Sequence, residues 1–208
     1  MKRLPTTRAN LLRLLMLSCV LIACSGCLSG GSSPEVRFYT LNSIDPPAAA
    51  QTLRSVVGVG PILFPDYLKR PQIVTRAGVN QMNIAEYDRW AEPLDAMFQR
   101  ILVANLDSLT PDLNVITYPF GSRLTNTDYR VVGRVNRFEV DAAAVVTLEV
   151  QWVFSTTAEG SDDVTVTSRH TSRADAAEGY AGTVTAMSEA LESFSRELAT
   201  YLTTVTRQ

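Results

Sequence analysis

The chain has 208 residues, of which 19 are basic and 21 acidic, with one histidine and three cysteines. The first 23 residues carry four of the basic side chains and no acid, so the remainder holds a formal net charge of −6, the wrong sign for a nucleic-acid surface. One histidine, and cysteines crowded at one end, offer too few ligands for a zinc centre, so neither metal nor cofactor is expected.

Lys2, Arg3, Arg8 and Arg13 precede the uncharged run Leu14 to Ala23, a basic segment followed by a short apolar one, as in an export signal spanning 1–23. A spanning helix needs roughly 20 apolar residues, and this run is about half that before Ser25 and Gly26 interrupt it. It closes on Leu21-Ile22-Ala23-Cys24, which resembles the lipobox of bacterial lipoproteins. That resemblance implies that the Cys24 thiol takes a diacylglyceryl group and becomes the new N-terminus. Cys27, behind Ser25-Gly26, is the alternative, and Cys19 leaves with the signal. Two or three acyl chains anchor firmly where one does not. With Ser25 rather than an acidic residue next to Cys24, the lipobox resemblance implies sorting to the outer membrane of a Gram-negative cell. Residues 24–34 then form a lipidated flexible tether, and 35–208 one domain.

Val36 to Leu41 and Ser55 to Leu63 are rich in β-branched and aromatic residues and read as strands, the second roughened by Gly58, Gly60 and Pro61 into an edge or a bulge. Pro65 to Pro71 begins with a proline suited to a helix start and ends with one that holds Arg70 extended, giving a rigid connector. Gln72 to Thr75 and Gln81 to Ala85 read as a hairpin. Leu94, Met97, Phe98, Ile101, Leu102, Leu106 and Leu109 then recur in steps of three and four, one stripe of an amphipathic helix with Pro93 in its first turn. Tyr129, Val131, Gly133 and Val135 alternate before Phe138 and Val140 shift phase, the mark of a bulge. Val146 to Phe154 and Val164 to His170 complete an antiparallel meander with turns near Ala142 and Gly160. A second helical stripe runs from Val184 to Val205. These elements predict an α+β fold, an antiparallel or mixed sheet with two amphipathic helices packed on it.

Groups suited to catalysis are scarce. His170 lies in a strand, Gly58-Val59-Gly60-Pro61 lacks the Gly-Lys-Ser/Thr of a phosphate loop, and Asp162 and Asp163 sit in a turn. The expected role is not enzymatic.

Phe38-Tyr39-Thr40-Leu41, Val57-Gly58-Val59-Gly60-Pro61, Tyr67-Leu68-Lys69-Arg70-Pro71-Gln72-Ile73-Val74 and Arg89-Trp90-Ala91-Glu92-Pro93-Leu94, with Asn105-Leu106 at the end of the first helix, together resemble the ABC-type transport auxiliary lipoprotein family. The resemblance implies a non-catalytic outer-membrane component of an MCE-type lipid transport system, without a cofactor. Its implied partners are an MCE-domain periplasmic protein and inner-membrane transporter components, with a homo-oligomer as a further state. Tyr67, Arg70, Pro71 and Trp90 are candidate partner-docking residues, because a rigid loop presenting an aromatic ring and a guanidinium suits an interface. The rival is a periplasmic lipid-binding chaperone, which requires an interior cavity of several hundred cubic ångströms.

Overall fold

A computed structural model describes residues 34–45, 55–119, 126–156 and 163–206. The export signal, Cys24, Cys27, most of the tether and the turn around Gly160 and Asp162 lie outside the described residues. The elements run β1 (Arg37–Tyr39), β2 (Val56–Leu63), a 3-10 turn (Asp66–Leu68), β3 (Gln72–Arg76), β4 (Met82–Trp90), α1 (Leu94–Leu109), β5 (Asn114–Thr117), β6 (Tyr129–Val140), β7 (Val145–Thr156), β8 (Val164–Arg173), a second 3-10 turn (Ala176–Glu178) and α2 (Tyr180–Val205).

The fold is α+β, with the strands in two sheets ordered β1-β4-β3 and β5-β2-β6-β7-β8. The meander of β6, β7 and β8 is antiparallel, and its bulge falls between Val135 and Arg137, where the apolar phase slips. Its first turn is closed by Asp141, whose Oδ1 accepts from Ala143 and Val145 N–H at 2.9 and 3.0 Å. Leu148, Val150 and Trp152 of β7 are buried while Gln151 between them is exposed, the period of two expected of a strand packed on one face.

Several expectations change. β2 is no edge: it lies between β5 and β6, parallel to both, with its bulge between Val59 and Ile62. β5 has only four residues and escaped notice for that reason. β4 continues past Ala85 to Trp90, and within that extension Asp88 is buried, accepting from Arg37 Nη2 and Tyr39 Oη at 3.0 and 2.9 Å. β1 pairs with it in parallel. α2 begins one turn before its apolar stripe, after Gly179 at φ 57°, and Pro93 caps α1 rather than lying inside it.

Both helices face the larger sheet. Phe98 of α1 meets Phe138 of β6 edge-on at 5.6 Å, and Tyr201 of α2 meets Trp152 and Phe154 of β7 at 5.1 and 5.3 Å. Asn105, fully buried, links the two helices by donating to Ser195 Oγ at 3.0 Å while its Oδ1 accepts from Ile44 N–H at 2.8 Å. The residue types at this seam are polar, and every polar group just named has a partner.

Candidate functional site

Pro65 opens the connector at φ −68°, and Leu68 N–H donates back to its carbonyl at 3.0 Å, so the loop coils once before β3. Leu68 is buried, fastening the coil to the core. The far end is tied by Trp90 N–H, which donates to Pro71 O at 2.7 Å, while Ala91 N–H donates to Tyr39 O at 2.9 Å. Loop, β4 and the start of α1 therefore meet at one place.

The four candidate docking residues divide there. Arg70, Pro71 and Trp90 line one cavity of about 380 Å³, together with Pro93 and Leu94. Trp90 is only 4% exposed, so its indole is largely a core side chain that shows the cavity one edge. Tyr67 points elsewhere. It is half-buried, and its hydroxyl donates to Glu139 Oε2 at 2.8 Å. Burial first, and the bond to Glu139 second, hold its phenol protonated well above the usual tyrosine range.

Glu139 is what sequence reading missed. Neighbours on a strand point to opposite faces, so Phe138 goes to the helices and Glu139 to the other side, under Tyr67 and β3. Its carboxylate is 0% exposed yet accepts from Arg76 Nε at 2.9 Å, Arg137 Nε at 3.1 Å, Phe138 N–H at 3.1 Å and Tyr67. The one available signal was an acid inside the apolar run Phe138-Glu139-Val140.

The other candidates have structural employment. Ser168 Oγ donates to Glu197 Oε1 at 2.6 Å and accepts from Trp152 Nε1 at 2.9 Å, while His170 Nε2 lies 2.8 Å from Glu197 Oε2. The serine thus addresses the carboxylate and not the imidazole, which is unlike a serine activated by a histidine base. Gly60, at φ 118°, lies where a Cβ would stand 2.1 Å from Gln99 Nε2, which donates to the Val59 carbonyl at 2.8 Å. The glycine run is where α1 reaches into β2.

A profile of the family described as ABC-type transport auxiliary lipoprotein component matches residues 39–199. The chain belongs to this family. Members share the name of a transport auxiliary lipoprotein, which places this chain among membrane-associated lipoproteins. It is 31% identical over 99 residues, 46% of its length, to the intermembrane transport lipoprotein PqiC of Escherichia coli K12, with the same figures for PqiC of Shigella flexneri. The aligned stretch spans 53%, about half, of those relatives. The fold matches a crystal structure of an uncharacterised protein at TM-score 0.67 and 22% identity, covering 81% of this chain and 99% of the other. It also matches protein XCC0632 of Xanthomonas campestris at TM-score 0.61 and 19% identity, over 80% and 94% of the two chains. Among the described residues no helix is long and apolar enough to cross a membrane.

Proposed function

We propose that this lipoprotein is the non-catalytic outer-membrane docking subunit of an MCE-type, Pqi-like lipid transport system, engaging a periplasmic MCE-domain protein through its surface. Family membership supports the pathway. The observation that favours docking over carrying is the state of the core between helices and sheet. Phe98, Leu102, Leu106, Leu148, Leu191, Leu198 and Leu202 are each 0% exposed. Side chains that line a void wide enough for an acyl chain would present surface to a water-sized sphere, and these present none. The packing is that of a filled interior.

Attachment at Cys24 holds the domain within a short tether's reach of the membrane. Cys24→Ala is expected to abolish acylation, read by mass spectrometry of the N-terminus. A lipidated peptide beginning at Cys27 would instead assign the anchor there. The docking role is tested by replacing Tyr67 and Arg70 together with Ala and co-purifying the MCE partner. If both are interface anchors, the complex weakens by about 2 kcal/mol or more. Tyr67→Phe alone separates the contributions, since it removes only the bond to Glu139. Undiminished co-purification by the double variant, with a melting temperature several degrees lower, would make the loop structural and move the docking surface elsewhere.

A further inference from the structure

The cavity beside the connector contains a guanidinium with nothing to hold. Arg70 has no ion pair and no hydrogen bond among the described residues, and its Nε is shut off from solvent without a partner. Buried donors are almost always satisfied, so an orphan of this kind calls for a group that is absent from the isolated chain. Each of the other charged side chains lining the cavity has a bonded partner. Lys69 is held by Asp66 at 3.2 Å, Glu92 is bonded to Arg100, and Asp95 Oδ1 accepts from Ala96 N–H at 2.9 Å at the start of α1. Arg70 is therefore the charged side chain without a bonded partner in a space lined by Pro71, Trp90, Pro93 and Leu94.

We infer that this cavity receives a single carboxylate carried on an apolar, extended segment of the partner protein, with Arg70 as the ionic anchor and the proline and tryptophan walls taking the adjoining side chain. This rests on the docking role proposed above and names its chemistry. A guanidinium fork matches the two oxygens of a carboxylate and is the stronger kind of hydrogen bond. At about 380 Å³ the space is near the lower limit of roughly 300 Å³ for small-molecule sites, which suits one terminal residue and not a two-chain lipid. Glu92 and Asp95 among the lining residues disfavour a dianionic phosphate, while a phosphodiester carries one charge like the carboxylate and is told apart by titration. The walls also cost little entropy to order, since prolines and a core tryptophan are already fixed.

The probes are N-acetyl-leucyl-phenylalanine as the free acid, the same dipeptide as its C-terminal amide, and dibutyl phosphate, each titrated against the mature lipoprotein in nanodiscs by ligand-detected saturation-transfer NMR. The free acid is expected to bind, and both the amide and the Arg70→Gln variant to weaken binding at least about tenfold, the loss of one charge-assisted bond. Arg70→Lys should retain part of the affinity. The melting temperature of Arg70→Gln should stay within a degree or two of the parent or rise, because an unpartnered guanidinium contributes no hydrogen bond or ion pair to lose. A fall of several degrees would overturn the inference by making Arg70 structural. So would equal affinity for acid and amide, and tighter binding of dibutyl phosphate would reassign the cavity to a lipid headgroup. Partner co-purification on the same variant keeps the two readings apart. Lost assembly without dipeptide binding sustains docking and overturns the carboxylate, whereas dipeptide binding with normal assembly sustains the carboxylate site and overturns its use by this partner.

Discussion

Glu139→Ala is expected to destabilise the protein by about 3 kcal/mol, measured as a lower urea midpoint with an unchanged slope. Breaking a buried ion pair by removing one member typically costs about 3–5 kcal/mol, since the survivor is left uncompensated. The low end applies because Arg76 and Arg137 keep 25% and 36% of their side chains in solvent and turn outward once freed, whereas Glu139 itself has no such escape. The Tyr67 hydroxyl has less freedom, being bonded to Glu139 at 2.8 Å, and adds the cost of an orphaned donor. Charge and shape separate in Glu139→Gln, which keeps the volume but not the charge and should fall between parent and Ala. Because the phenol's pKa is raised on folding, its contribution is complete below about pH 10, the unfolded value, and is lost as pH rises through the folded one. A loss under about 1 kcal/mol in Glu139→Ala would reduce the cluster to the standing of surface ion pairs. β3 and the connector would then owe their position to buried Leu68, Ile73 and Val74 and to the pairing of β3 with β4.

How much of this was legible beforehand follows the range of the interactions. α1 announced itself because its stripe is local, six buried apolar residues in steps of three and four from Leu94 to Leu106. The meander of β6 to β8 was equally plain, since consecutive antiparallel strands need only a tight turn and a period of two. What stayed hidden is non-local. Nothing within Arg37–Tyr39 tells that it lies parallel to Asp88–Trp90, nor within Val56–Leu63 that it sits between two parallel neighbours. Asp88 and Glu139 drew no notice because Arg37, Tyr39, Tyr67 and Arg76, which bond them, are between 49 and 72 positions away in the chain. At the connector, residue type pointed to Arg70, Pro71 and Trp90, which share the cavity. It also pointed to Tyr67, whose engagement with Glu139 no spacing could reveal.

Phe98→Ala carries an expected loss of about 3–5 kcal/mol, the usual range when a fully buried aromatic ring is deleted and its site cannot collapse. Collapse is hindered here, because Phe98 is 0% exposed and stands edge-on to Phe64 at 5.3 Å and to Phe138 at 5.6 Å, one from the strand end of β2 and one from β6. Two edge-to-face pairs vanish with the ring, each adding about 0.5–1.5 kcal/mol beyond the buried area. The functional value of this variant lies in what the hole does next. An apolar cavity closed by Leu102, Phe138 and their neighbours should stay dry and admit a small apolar guest such as benzene, as engineered core cavities do. The parent protein should admit none, since a filled core offers no place for it. The comparison therefore separates adaptor from carrier on one assay: guest binding that appears only with Phe98→Ala leaves the lipid cargo to the protein's partners. Equal binding of benzene or a fatty acid by the parent would mean that the helices part from the sheet in solution. In that event the lipid-binding chaperone displaces the docking subunit.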